Sequence, residues 1–170
     1  MGYIRFEKGL MTNLEETLPK ELLRTNRSGA YSCSSILDCN TRKYHGLLVV
    51  PIPEIDDENH VLLSSLDVSV IQHGAEFNLG LHKYRGNIFS PNGHKYIREF
   101  NCDKVPTTLY RVGGVVLKKE VVFQHFEDRI LIRYTLEDAH SDTKLRFKPF
   151  LAFRSVRQFT HENAVASREY

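Results

Sequence analysis

The residues best suited to chemistry form a short cluster of polar and aromatic side chains directly ahead of an apolar stretch. The cluster consists of Asn40, Arg42, Lys43, Tyr44 and His45. A guanidinium, a phenol and an imidazole can bridge to carbonyls, carboxylates or the hydroxyls of a ligand. Burying so many donors and charges is costly unless each has a partner. The sequence therefore predicts either a structural network at the start of a strand or a binding surface, and both interpretations stay open.

Other patterns that carry chemistry are weak in this sequence. The spacings of its eight histidines give no close pair on one helix or strand face, and no Cys-x-x-Cys occurs, so no metal site is expected. Cys33 has no recognisable base or orienting group, which favours a buried thiol over a nucleophile. Gly113-Gly114 is typical of a turn and not of a phosphate-binding loop, and no cofactor is expected.

The segment after the polar cluster predicts the element that positions it. Residues 47–50 are an apolar run closed by prolines, as in a buried strand that stops abruptly. Near the start of the chain, residues 2–7 alternate weakly and predict a first strand. Residues 13–24 carry a capping residue and three leucines on one face, which predicts a short N-terminal helix interrupted by Pro19.

The remainder of the chain has the alternation of antiparallel strands. Strands are predicted, in order, at residues 61–70, from residues 77–81 onward, and at residues 107–112, 115–124, 129–136 and 145–153. Gly113-Gly114 separates two of them as the turn of a hairpin. Alternation in the last strand predicts that Phe147 and Phe153 lie in the core. The sequence therefore predicts an all-β fold, an antiparallel β-sandwich with at most a short N-terminal helix.

The composition is that of an ordinary soluble globular protein. The chain has 170 residues, enough for a single domain over residues 1–170, with 41% hydrophobic and 26% charged residues. A net charge of +2 favours neither nucleic acid nor an anionic membrane as a partner. Three cysteines without a disulfide-like spacing, and no secretory signal, predict a reducing, cytoplasmic location.

One continuous stretch from Gly29 to Val50 resembles a known family. It reads G-A-Y-S-C-S-S-I-L-D-C-N-T-R-K-Y-H-G-L-L-V-V and contains the ungapped core N-T-R-K-Y-H-G. This stretch is similar to the N-terminal domain of the bacterial and archaeal type of glycogen debranching enzyme, the amylo-α-1,6-glucosidase family. The likeness extends more loosely over the later strands.

The resemblance implies a large two-sheet sandwich that precedes a catalytic helical barrel in the same protein. On this hypothesis the catalytic carboxylates lie in the barrel, the chain has no catalytic residue of its own, and its sandwich is cut short at the C-terminal end. From the sequence, Asp38, Asp67 and Glu99 look no different from solvated or ion-paired residues, although glycoside hydrolysis needs a carboxylate pair. The implied role is non-catalytic, with branched α-glucan and the catalytic domain as partners.

The resemblance also implies roles for the side chains of the cluster around Tyr44. Arg42 is expected to act chiefly in structure, whereas Tyr44 and His45 are expected to face a cleft shared with the barrel. There Tyr44 would offer a flat platform for a glucose face. Two alternatives remain open. An autonomous carbohydrate-binding module would bind glycogen without the barrel, and a sugar epimerase of related architecture would need a histidine and a carboxylate paired across one concave face.

Overall fold

Strand is the dominant secondary structure of this chain. The computed structural model describes residues 4–159, in which strands make up 54% and helices 10%. Every strand pairing among these residues is antiparallel. The predicted all-β fold, an antiparallel sandwich with little helix, is confirmed.

The N-terminal part of the fold contains two single-turn helices. Strand β1 (Ile4–Glu7) leads into α1 (Lys8–Met11) and then α2 (Leu14–Thr17). The Asn13 side chain caps α2 by accepting hydrogen bonds from two backbone N–H groups of its first turn, at 3.2 and 3.4 Å. The weak alternation of residues 2–7 therefore predicts β1 correctly over the residues that the structure describes.

The second half of the predicted helix is instead a strand. The sequence predicts helix over residues 13–24, but β2 (Glu21–Thr25) is extended and pairs with the next strand. Pro19 stops the helix because its ring clashes with the preceding turn. Beyond it, burial alternates along β2, with Leu22 packed against the core and Leu23 exposed, which is the period of a strand.

The remaining strands follow one another with short connections, and two 3₁₀ turns (Arg85–Asn87 and Gly93–Tyr96) interrupt the middle of the chain. In order the strands are β3 (Tyr31–Ser35), β4 (Gly46–Pro51), β5 (Asn59–Gln72), β6 (Ala75–Asn78), β7 (His82–Lys83), β8 (Phe89–Ser90), β9 (Ile97–Cys102), β10 (Pro106–Val112), β11 (Val115–Phe123), β12 (Ile130–Asp138) and β13 (Lys144–Ser155).

The strands form two main sheets that face each other. One has five strands in the order β1-β9-β10-β11-β12. The other has six, in the order β13-β5-β4-β3-β2, with β6 alongside β5. The predicted hairpin is confirmed, because β10 and β11 pair across Gly113 and Gly114, whose φ angles of 57° and 81° suit glycine. The last strand leaves this meander and pairs with β5 in the opposite sheet.

The core lies between the two sheets. Its buried side chains come from both sheets, from α1 and from the connecting loops. They include Met11, Ile36, Leu37, Val70, Leu79, Leu81, Ile97, Phe100, Tyr110, Val112, Val115 and Leu117. One partner of an ion pair is buried among them: Lys119 is 5% exposed, and its Nζ lies 2.6 Å from Oδ2 of Asp38, whose side chain is 44% exposed. Burial alone would lower the pKa of Lys119, but the Asp38 carboxylate raises it.

Two aromatic residues predicted for the core lie at the surface. Phe147 is 49% exposed and Phe153 is 65% exposed, so this prediction is wrong. Both belong to β13, which is an edge strand of its sheet and is therefore covered by a neighbouring strand on one side only. Each ring still contacts another: Phe147 lies 5.4 Å from the Tyr134 ring and Phe153 stacks 5.8 Å from His60.

Candidate functional site

The polar cluster predicted from the sequence forms a turn that is fixed at both ends. At one end, the Asn40 amide donates to the backbone oxygen and the hydroxyl of Ser64 at 2.8 and 3.1 Å. At the other end, His45 Nδ1 accepts a hydrogen bond from the backbone N–H of Thr41 at 3.0 Å. These contacts hold the turn on the six-stranded sheet and leave its central side chains facing outward.

A carboxylate that sequence analysis missed organises those side chains. Glu21, on the outward face of β2, accepts hydrogen bonds from Arg42 Nε and from the Tyr44 hydroxyl, the latter at 3.2 Å. Burial by itself would raise the pKa of Glu21, but the bond from Arg42, the adjacent His45 and the Tyr44 hydroxyl hold it below its ordinary value. Glu21 therefore stays ionised and ties the turn to the neighbouring strand.

The structure places Arg42 and His45 differently from the expectation. Arg42, expected to act in structure, is 53% exposed and is held by Glu21 at the surface. His45, expected to face a cleft, is fully buried. Burial lowers the pKa of His45, although Glu21 opposes this change, so the ring is neutral at neutral pH.

The hydrogen bond to His45 decides which of its ring nitrogens carries the proton. A neutral imidazole has one donor and one acceptor nitrogen. Since Nδ1 accepts from Thr41, the proton resides on Nε2, which lies 3.3 Å from Glu21 Oε1 without the alignment of a hydrogen bond. His45 thus presents an N–H group to Glu21.

In the described part of the chain, one cluster of side chains has the spacing of metal ligands. The tautomer of His45 argues against a metal ion there. Ligand atoms of Glu21, Cys33 and His45 lie within 4.8 Å of one another. A metal-bound histidine normally donates its second N–H to an acceptor. Here the second nitrogen already accepts a bond from Thr41, so metal binding at Nε2 would leave the ring without any proton. The Arg42 guanidinium beside Glu21 would also repel a cation.

The same geometry leaves Cys33 unreactive. The thiol is buried, at 4% exposure, and burial followed by the nearby Glu21 carboxylate raises its pKa. Only the thiolate is a good nucleophile. His45 does lie next to Cys33, but it offers an N–H and not a basic nitrogen. The predicted buried thiol agrees with this arrangement.

A cleft of about 640 Å³ lies on the outer face of the six-stranded sheet, beside the turn. We call it the Tyr44 cleft. Its wall includes Glu21, Leu23, Arg27, Tyr31, Cys33 and Tyr44. The Tyr44 ring is 42% exposed and meets the His45 ring edge-on at 5.1 Å, which fixes its orientation. Tyr31 supports the same residue by donating its hydroxyl to the Tyr44 backbone oxygen at 2.9 Å.

The other predicted residues lie at different distances from this cleft. Tyr44 lines it directly, Arg42 reaches it through Glu21, and His45 lies behind the lining, against the Tyr44 ring. Lys43 points its ammonium group over the Phe159 ring, 5.1 Å from the ring centre. Asn40 lines a separate, small cavity inside the sandwich. Of the side chains in the turn, Tyr44 therefore lines the cleft, and the others make contacts around or away from it.

The three carboxylates considered from the sequence all have cationic or histidine partners. The pairs are Asp38 with Lys119 at 2.6 Å, Asp67 with His82 at 2.9 Å and Glu99 with Arg5 at 2.6 Å. Asp38 and Asp67 line a cavity of about 30 Å³ between the sheets. That volume holds one or two water molecules and no sugar ring. The Asp67–His82 pair therefore does not supply the open site that a sugar epimerase would need.

Replacing Arg42 with alanine is expected to leave the fold nearly intact. The side chain is more than half exposed and its ion pair with Glu21 is solvated, and such pairs contribute little to stability. We expect the melting temperature to fall by no more than about 2–4 °C. Calorimetry of wild type and Arg42→Ala tests this. A much larger fall would mean that Arg42 holds the turn together, as the structural interpretation of the sequence proposed.

Comparison with known proteins points to one family. The model of a family described as "Glycogen debranching enzyme N terminal" matches residues 20–170. This range includes β2, the turn and every strand that follows. Searches of curated proteins and of solved structures returned no match. Among the residues that the structure describes, no helix has the length and apolar character needed to cross a membrane.

Proposed function

Since the chain belongs to the glycogen debranching enzyme N-terminal family, we propose that it binds branched α-glucan in the Tyr44 cleft and packs on a catalytic domain of the same protein. That catalytic domain would cleave the α-1,6 links as an amylo-α-1,6-glucosidase. The chain itself would hold and orient the substrate. A cytoplasmic location is part of the same proposal, and three unpaired cysteines support a reducing compartment.

The observation that carries this proposal is the exposed Tyr44 ring beside a charged pair. A pyranose ring has an apolar face of C–H groups, which packs against a flat aromatic surface, and a rim of hydroxyls. Tyr44 offers the surface, and it is held in place from behind by His45 and Tyr31. The volume of the cleft, about 640 Å³, is within the usual range for small-molecule sites.

Polar groups next to Tyr44 are suited to hydrogen bonding with the hydroxyls of a sugar ring. A sugar hydroxyl both donates and accepts, so its site needs acceptors and donors close together. Glu21 supplies carboxylate oxygens. Arg42 uses Nε for Glu21, and within residues 4–159 its two terminal nitrogens have no hydrogen-bond partner. These nitrogens are available to a ligand.

The cleft supports binding without cleavage. Glycoside hydrolysis requires two carboxyl groups, about 5–9.5 Å apart, on either side of the scissile bond. Among the residues that the structure describes, Glu21 is the one carboxylate that lines the Tyr44 cleft, and it is already engaged by Arg42 and Tyr44. We therefore propose that the chain alone releases no glucose from a limit dextrin.

Truncating Tyr44 should weaken glycogen binding. We expect Tyr44→Ala to reduce affinity by about tenfold or more, because the stacking surface is removed while the neighbouring polar groups remain. Co-sedimentation of the purified chain with glycogen measures this. Tyr84→Ala is the matched control, since Tyr84 is 56% exposed and lies outside the cleft.

The same assay separates the proposal from its alternatives. Binding by the wild-type chain that is lost in Tyr44→Ala and kept in Tyr84→Ala supports the Tyr44 cleft. Equal affinity of this chain for glycogen with and without the catalytic domain of the same protein would favour an autonomous binding module. Equal binding by both variants would refute a role for Tyr44, and no binding by any of them would restrict the chain to scaffolding.

A further inference from the structure

A second cleft, distinct from the Tyr44 cleft, is lined by positively charged side chains. It has a volume of about 410 Å³ and lies where the edge strand β2 of one sheet approaches β11 and the β9–β10 connection of the other. Its cationic and histidine residues are Arg24, Arg27, Lys104 and His125. No carboxylate of residues 4–159 belongs to its lining. We call it the basic cleft.

Arg24 is the residue that most needs a partner there. Its side chain points toward the interior of the sandwich and is half-buried. Considering the described residues alone, Nε is buried without a hydrogen-bond partner, and Nη2 donates only to the Cys102 sulfur at 3.0 Å. Sulfur is a weak acceptor. Within residues 4–159, no carboxylate pairs with this guanidinium, so its charge is partly removed from water without an anion to balance it.

Three acidic side chains lie close to the cleft in sequence, and none of them lines it: Asp103 is exposed outside the lining, and the other two are engaged elsewhere. Glu127 pairs with Arg129 at 3.1 Å. Asp128 accepts a hydrogen bond from the Asn26 amide at 2.9 Å. The cleft's other cations, Arg27 and Lys104, form no ion pair within the described residues. The positive charge of the basic cleft is therefore left for a ligand.

We propose that the basic cleft binds a small phosphate-bearing molecule. A guanidinium presents a planar fork of donors that matches two phosphate oxygens, and a lysine adds a mobile point charge. Arg24 lies at the inner end, where Nη1 has no partner within residues 4–159 and Nη2 has only the weak Cys102 acceptor to give up, and Lys104 and Arg27 are exposed. Inorganic phosphate would fill only part of the 410 Å³, which leaves space for a small organic group such as a sugar ring.

This site is independent of the proposed glucan binding, although it is close to it. Leu23, Thr25 and Arg27 contribute to the walls of both clefts. Arg24 and Lys104, the charged groups that define the basic cleft, do not line the Tyr44 cleft. Loss of phosphate binding can therefore be separated from loss of glycogen binding.

Calorimetric titration of the 170-residue chain at low ionic strength tests the proposal, with inorganic phosphate, a hexose phosphate and the neutral hexose as ligands. We expect saturable binding of one or both phosphates and none of the neutral sugar. Arg24→Gln and Lys104→Gln should each weaken it by about tenfold. Lys104→Gln serves as the variant that leaves the fold untouched, because Lys104 is exposed.

Arg111→Gln is the matched control, since Arg111 is an exposed arginine outside the basic cleft. Unchanged affinity in this variant, with weaker binding in the other two, supports the site. Tighter binding of the hexose phosphate than of phosphate would show that the cleft also contacts the organic group, and equal binding would show that it reads the phosphate alone. Absence of saturation with both anions, or equal weakening in Arg111→Gln, would overturn the proposal.

Discussion

Replacing Gly93 with alanine is expected to remove about 3 kcal/mol or more of the free energy of unfolding. A Cβ at this position would overlap the carbonyl group of Leu79 and lie 2.6 Å from its Cα. These are backbone atoms, so they cannot move aside as a flexible side chain would. Gly93 also donates its N–H to the Gly80 oxygen at 3.0 Å, and any shift that relieves the overlap breaks this bond. Denaturant unfolding measures the loss.

Gly9→Ala is the control for this prediction. Gly9 lies in α1, and a Cβ there would have no atom within 4 Å. Alanine is favoured over glycine in a helix, so stability should stay the same or rise slightly. A Gly93→Ala protein that unfolds at the wild-type denaturant concentration would show that this close approach of two backbone segments is incorrect.

His45→Ala should lower the free energy of unfolding by about 2–4 kcal/mol. The ring is fully buried, so its removal leaves a cavity, and the Thr41 N–H loses its acceptor. Glycogen binding should also weaken, because Tyr44 loses the ring that it contacts edge-on. Denaturant unfolding and glycogen co-sedimentation measure the two effects. His140→Ala, at an exposed histidine, should change neither.

The same histidine links stability to pH, and the sign can be worked out. The folded-state pKa of His45 lies below the ordinary value of 6.5, so the unfolded chain binds more protons as the pH falls. Its contribution is therefore complete above pH 6.5 and declines as the pH drops toward the folded-state pKa. His94 acts in the same direction, because burial and then Lys95 lower its pKa. His45→Ala should flatten this decline only in part, and an unchanged slope would contradict the assignment.

Most of the fold could be predicted from the sequence, because polar and apolar residues alternate along most of the strands. The hairpin across Gly113-Gly114 depends on residues that are adjacent in the chain, and it was predicted in place. The polar cluster that contains Tyr44 was likewise identified from one continuous segment, although its turn conformation was not predicted. Local patterns of this kind can be read from a sequence, since the same residues form both the strands and the turn that connects them.

Features that depend on contacts between distant segments could not be predicted in this way. Glu21 belongs to β2, which the leucine spacing assigned to a helix, and only the pairing of β2 with β3 brings it to the turn. Recognition of β2 as a strand would have put Glu21 on the same face as Leu23. Phe147 and Phe153 alternate like core residues, but the topology puts them on an edge strand. Neither the position of β13 at the edge of its sheet nor the basic cleft could be predicted from a single sequence.

The central claim, that α-glucan binds in the Tyr44 cleft, is tested most directly by nuclear magnetic resonance. The isotopically labelled chain would be titrated with maltoheptaose, a short α-1,4-glucan, while the backbone amide signals are followed. We predict saturable shifts that are concentrated at Leu23, Cys33 and Tyr44, with the signals around Tyr84 unchanged. Shifts confined to another face, or none at saturating sugar, would contradict the assignment of this cleft.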